Sequence, residues 1–193
     1  TKMEIKDYVQ VNDGAIPWHV LSSLLKWINS QKFEQAIVGG GESERIDFNI
    51  RNTYNKPLNN LSECMSEVHW CNLLHKYFKF YIEKHGKDLK LLPGLISPSF
   101  VNDITVLKYD VGGFYKYHTD HFHENPRTYS CILLLNDDYE GGHLNFMNTD
   151  GSGEYKIEVR PNRMLVWPSN FMFPHCVAPV TKGVRYSVVS WAL

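Results

Sequence analysis

The densest cluster of reactive side chains is Tyr117-His118-Thr119-Asp120-His121-Phe122-His123. In an extended chain His118 and Asp120 share one face with Cα atoms about 6.5 Å apart, so an imidazole and a carboxylate can converge on one ion. His175, within Phe171-Met172-Phe173-Pro174-His175-Cys176-Val177, is the candidate third ligand, because an antiparallel fold can bring its segment alongside. Two imidazoles and a carboxylate occupy one face of an octahedral ion and leave the opposite face open to exogenous ligands. Such an ion is a reaction centre. Ten residues after His175 stands Arg185, with Ser187 on the same strand face. A planar guanidinium beside a hydroxyl suits a carboxylate, through two parallel charge-assisted hydrogen bonds and a third from the hydroxyl. Tyr109, nine residues before His118, can donate its phenol to the same ligand. The pattern predicts an ion with open positions and, in a barrel mouth, a clamp for the far end of a dicarboxylic acid.

These residues need a scaffold. From Pro17 to Ser30 the apolar Leu21, Leu24, Leu25 and Ile28 recur at helical spacing, with Pro17 suited to the first turn. Gly39, Gly40 and Gly41 open a polar stretch to Asn60, read as a mobile flap with a strand over 45–50. Asn60, with Glu63 three residues on, caps a second helix whose apolar face (Met65, Val68, Leu74, Phe78, Tyr81) runs until Gly86 stops it. After Pro93 eight short β-rich segments follow, at 102–110, 115–120, 129–135, 142–147, 154–159, 163–167, 172–180 and 184–192, separated by Gly, Asn, Asp and Pro signals. That rhythm predicts an antiparallel sandwich or barrel with the helices packed outside one sheet.

Composition narrows the function classes. At 193 residues the chain suits one domain, and 43% apolar with 21% charged residues is globular. A net charge of -1 excludes the broad basic surface that nucleic acid binding requires. No apolar run approaches the roughly 18 residues of a membrane span, and Cys64, Cys71, Cys131 and Cys176 form no CxxC or disulfide framework. A cytoplasmic protein without nucleic-acid or membrane partners is expected; the oligomeric state stays open.

The chain resembles the iron(II)- and 2-oxoglutarate-dependent dioxygenases, specifically their prolyl 4-hydroxylase-like branch. The likeness runs from about Ile104 to Leu193, through Tyr109-Asp-Val-Gly-Gly-Phe-Tyr-Lys-Tyr-His118-Thr-Asp120, Arg127-Thr-Tyr-Ser-Cys-Ile-Leu-Leu-Leu-Asn136, Glu140-Gly-Gly-His-Leu-Asn-Phe146 and His175-Cys-Val-Ala-Pro-Val-Thr-Lys-Gly-Val-Arg185-Tyr-Ser187. Its specific part is HxD, a histidine 57 residues later and an arginine ten beyond that. The resemblance implies a mainly β fold with flanking helices: a double-stranded β-helix (jelly roll) core over 95–193, and a helical buttress and mobile loop over 1–94. It implies iron held by His118, Asp120 and His175, and 2-oxoglutarate chelated at its oxo-acid end. Arg185, with Tyr109 and Ser187, would hold the other carboxylate. Dioxygen is the further cosubstrate and ascorbate a candidate reductant. The implied reaction hydroxylates a C–H bond, with a prolyl residue in a peptide or protein the first substrate class, while 2-oxoglutarate becomes succinate and carbon dioxide. A free amino acid or other small molecule is the alternative substrate, and a cupin-like binding module without turnover the alternative of another class.

Some positions depart from that pattern. The anchor is Arg185 where collagen-type enzymes usually have lysine. Ile132-Leu133-Leu134-Leu135 is aliphatic where some relatives place a tyrosine, and Gly141-Gly142-His143 replaces the usual Gly-Gly-Glu, so His143 alters either the sheet rim or the substrate path. Arg51-Asn52-Thr53 resembles a segment near the substrate groove. His121 and His123 are assigned to the rim or a loop, and Trp18, Trp27, Trp70 and Trp167 to the core.

Overall fold

The computed structural model describes residues 4–39, 41–90, 101–148 and 150–193. Gly40 of the glycine run, Pro93 and the expected boundary between 94 and 95 lie outside them. Its elements in chain order are β1 (Gln10–Asp13), α1 (Trp18–Ile28), β2 (Glu34–Gln35), β3 (Arg51–Asn52), β4 (Tyr54–Pro57), α2 (Met65–Asp88), β5 (Val101–Tyr109), β6 (Phe114–His118), β7 (Tyr129–Leu134), β8 (Glu140–Gly141), β9 (Leu144–Met147), β10 (Glu154–Lys156), β11 (Arg163–Pro168), β12 (His175–Val177), β13 (Val180–Lys182) and β14 (Arg185–Ala192). They form a major sheet in the order β1-β11-β7-β14-β5-β4-β2, a minor sheet β10-β9-β12-β6-β3 and a β13-β8 pair, all antiparallel. This is the double-stranded β-helix with flanking helices.

Alternation along the major sheet builds two cores. Outward residues such as Val106, Leu133, Met164 and Val188 pack on Leu24 and Ile28 of α1 and Leu74, Phe78 and Ile82 of α2. Inward residues such as Leu107, Ile132, Leu165 and Val189 meet Leu144, Phe146 and Val177 of the minor sheet. Each such side chain, removed from water, contributes about 1.5–3 kcal/mol. The helices are therefore buttresses that hold the major sheet rigid behind the inner core.

Several local readings change. α2 begins at Met65 after an uncapped Cys64 and runs through Gly86 to Asp88. Asn59 and Ser62 bond the amides of Leu61 and Cys64 in the preceding turn, so the polar signal at 59–63 encodes that turn instead of a cap at Asn60. The stretch 45–50 makes one isolated bridge, Val38 with Arg45, and the strands lie later, at 51–57. The first third thus supplies β1, β2 and β3 at sheet edges and β4 between β5 and β2, all too short for periodicity to register. Trp18 is 60% exposed because the first residue of α1 faces water, while Trp70 and Trp167 are buried. The segment 172–180 divides into β12 and β13.

His85 ties α2 to the N-terminal segment: its Nε2 lies 2.7 Å from the Tyr8 carbonyl, its ring meets Tyr129 edge-on, and its Nδ1 is buried without a partner. Burial holds this imidazole below its usual pKa, partly offset by the Tyr8 carbonyl and by Asp88. A depressed folded-state pKa means the unfolded chain binds the proton first, so the stability of the neutral ring is present above about pH 6.5 and lost as pH falls below it. We expect a lower melting temperature at pH 5 than at pH 7 in the metal-free protein, and a smaller difference in His85→Gln; equal slopes would rule this origin out.

Candidate metal centre

β6 and β12 pair with His118 directly opposite His175. The chain leaves β6 at His118, so Asp120 reaches the same point from the following loop and not from a shared strand face. The two Nε2 atoms lie 3.4 and 3.5 Å from the two carboxylate oxygens of Asp120, and candidate ligand atoms of all three residues fall within 4.8 Å of one another. His118 Nδ1 bonds the Lys116 carbonyl at 2.8 Å and His175 Nδ1 the Phe173 carbonyl at 3.0 Å. Each Nδ1 therefore carries the proton and each Nε2 turns its lone pair inward, as in a metal-binding histidine whose other nitrogen is held by a carbonyl.

Electrostatics agree with that geometry. Burial opposes ionisation of Asp120, but the His175 and His118 imidazoles and the Ser130 hydroxyl outweigh it and hold the carboxyl well below the usual range. Burial pushes His175 down to about 4, so its ring is neutral near pH 7. Ser130, on the inward face of β7, donates to Asp120 Oδ2 at 2.6 Å and shares a 2.7 Å hydrogen bond with Ser169. We expect Ser130→Ala to fold and to bind a divalent metal roughly tenfold more weakly by calorimetry, within the usual 10–100-fold range for such partners. Unchanged affinity would mean that Asp120 is placed without it.

β14 carries Arg185, Ser187, Val189 and Trp191 on its inward face. Val189 and Trp191 line a cavity of about 920 Å³ together with His118, Asp120, His175 and Tyr109. Arg185 and Ser187, 1% and 0% exposed, are buried and do not line that cavity. Arg185 donates through Nε to the Gly142 carbonyl at 3.0 Å and through Nη1 to Ser187 Oγ at 3.0 Å, and its guanidinium carbon is 4.9 Å from the Tyr109 ring centre. Nη2 is buried with no protein partner. An orphaned, buried guanidinium nitrogen is a donor that an anionic ligand could satisfy. Glycine is required beside it. A Cβ on Gly142, at φ +65°, would stand 3.1 Å from the Arg185 side chain, and one on Gly141 would stand 2.2 Å from the Pro179 carbonyl.

The cavity mouth is walled by Ile37, Val38 and Arg51 on one side and Phe122, Glu124 and Arg127 on another. Sequence reading missed three of the side chains here. Arg127 stacks 3.7 Å over Trp191, Tyr115 stacks 3.6 Å on His118, and Ser130 supports Asp120. Ser130 had a signal, a hydroxyl in the inward register of an otherwise apolar strand. Tyr115 had none at period two, because the β6–β12 register shifts between His175↔His118 and Val177↔Tyr115, and this bulge turns both residues inward. His121 is exposed, bonded to the Arg127 carbonyl, and among the described residues neither it nor His123 joins the three-residue cluster. His143 is half-buried with an unpartnered Nδ1.

Residues 104–193 match the 2OG-Fe(II) oxygenase superfamily. A PKHD-type hydroxylase of Synechococcus sp. (strain JA-2-3B'a(2-13)) is 31% identical over 102 residues, covering 49% of this chain and 44% of the relative. Another, of Xylella fastidiosa (strain M12), is 41% identical over 64 residues, covering 32% and 26%. The chain spans about half or less of the length of these curated relatives. Among solved structures, a Pseudomonas putida prolyl-4-hydroxylase superposes with a TM-score of 0.69 at 18% identity, covering 97% of this chain and 94% of that one. A prolyl hydroxylase from Trichoplax adhaerens, in complex with a hypoxia inducible factor oxygen degradation domain peptide fragment, gives 0.72 at 18% identity, covering 96% and 83%. At such identities the structures establish a shared fold.

Proposed function

We propose, from the match of residues 104–193 to the 2OG-Fe(II) oxygenase superfamily, that the protein is an iron(II)- and 2-oxoglutarate-dependent hydroxylase acting on a prolyl residue in a peptide or protein. The observation that carries this reading is the convergence of His118, Asp120 and His175 on a cavity that Tyr109 also lines, with the buried Arg185 guanidinium, one donor unused, 4.9 Å from the Tyr109 ring centre. His118, Asp120 and His175 would hold the metal, two neutral imidazoles and one carboxylate matching a facial set. Bound there, iron(II) with 2-oxoglutarate and dioxygen supplies the oxidising chemistry that yields succinate, carbon dioxide and a hydroxylated carbon.

The protein's part is positioning. Arg185 Nη2 would take the distal carboxylate, helped by Ser187 Oγ and the Tyr109 phenol, and the apolar Ile132, Leu144 and Val177, which line the cavity, would help exclude water. Support for a peptide comes from the cavity mouth, open between the segment around Arg51 and the 122–127 loop, and from the peptide bound by the Trichoplax adhaerens neighbour. Four unpaired cysteines support a reducing compartment, the cytoplasm.

The test is release of labelled carbon dioxide from 2-oxoglutarate, with iron(II) and ascorbate, alone and with a panel of proline-containing peptides. Peptide-stimulated release with a hydroxyprolyl product supports the assignment. Stimulation by free amino acids or other small molecules, and by no peptide, would replace the substrate class, and no release under any condition would leave a binding module.

A further inference from the structure

This inference rests on the metal site proposed above and concerns how one of its ligands is held. Arg51 stands opposite Tyr115 in the β3–β6 pairing, with its guanidinium carbon 4.5 Å from the centre of the Tyr115 ring. The Tyr115 and His118 rings are stacked at 3.6 Å and 16°. A ring that close leaves no room for a guanidinium on the same face, so Arg51, Tyr115 and His118 form a column ending at the ligand. The second restraint on His118 leads to the same place: its Nδ1 bonds the Lys116 carbonyl, and the Lys116 amide donates to the Ile50 carbonyl at 2.9 Å. Both handles on this imidazole therefore run to residues 50 and 51.

Those residues are fastened in turn. Arg51 Nη1 donates to the Ile37 carbonyl at 3.1 Å, the Ala36 amide donates to the Thr53 carbonyl at 2.8 Å, and Val38 pairs with Arg45. The other two members of the cluster are held differently, Asp120 by Ser130, and His175 by the Phe173 carbonyl and the rings of Trp167 and Phe146. The sequence gives no hint of this division. We propose that Arg51 is a positioning residue for the metal centre, acting through the Tyr115 ring to fix the orientation of His118, so that the segment forming one wall of the cavity mouth also sets the geometry of one ligand. Stacking beneath a cation restrains ring tilt, which the hydrogen bond at Nδ1 alone leaves free.

Cobalt(II) titrated into the full chain, followed by visible absorption, tests this without turnover. Arg51→Met should weaken cobalt binding about five- to tenfold and shift the ligand-field bands, and Arg51→Lys should restore most of both. Tyr115→Phe should behave as wild type, whereas Tyr115→Leu should match Arg51→Met, and the Arg51→Met/Tyr115→Leu double variant should bind no more weakly than Tyr115→Leu alone. Melting temperatures separate these effects from unfolding; should Arg51→Met fail to fold, Tyr115→Leu against Tyr115→Phe makes the same comparison. If the variants bind cobalt with wild-type affinity and spectrum while His118→Ala does not bind it, the column is overturned and the site reading stands. If His118→Ala itself binds like wild type, the site reading fails and takes the column with it.

Discussion

Asp120→Ala is expected to abolish both divalent-metal binding and 2-oxoglutarate turnover while leaving the fold intact. Asp120 brings the only carboxylate of the three-residue cluster and contacts both imidazoles. Without it two neutral rings face a dication with no counter-charge, so the loss should exceed the roughly 10–100-fold that an outer partner such as Ser130 carries. Asp120→Asn keeps the shape and one oxygen donor but not the charge, and should fall between. Calorimetric titration with manganese(II) and carbon dioxide release give the two readouts. Metal affinity within a few-fold of wild type in Asp120→Ala would remove the residue from the site.

Arg185→Ala should chiefly raise the concentration of 2-oxoglutarate needed for half-maximal turnover. The guanidinium is buried, two of its nitrogens bond Gly142 and Ser187, and the third is unused. Truncating one partner of a buried charge-assisted contact costs about 2–5 kcal/mol, which corresponds to roughly 30-fold to several thousandfold in affinity. Arg185→Lys retains charge without the planar fork and should lie between. Metal affinity without cosubstrate should stay near wild type in both, which distinguishes loss of the clamp from loss of the centre. An unchanged 2-oxoglutarate requirement would put the anion elsewhere, with His143 and Tyr139, both close enough to Arg185 to interact with it, the next groups to substitute.

How much of this was legible from residues differs by element. The Arg185–Ser187 face followed from period two because β14 is a long strand whose inward residues alternate regularly. Each of the eight segments after Pro93 holds a strand, and the amphipathic stripe of α1 declared its buried face. The pairing of His118 and Asp120 was legible as chemistry but not as geometry, since the strand ends between them. Tyr115 was hidden by a bulge, and the edge strands β2 and β3 by their length of two residues each.

The sequence by itself determined which side chains could serve a facial metal site and an anion clamp, and that a β-rich core would carry them, since ligand type and strand alternation are local properties. Tertiary structure alone decided that β6 lies against β12 in the register placing His118 opposite His175, that Arg185 is buried with one donor free, and that Arg51 stacks on Tyr115. Register and bulges between strands far apart in the chain are set by packing across the whole barrel, and a local pattern carries no record of which distant strand will complete it.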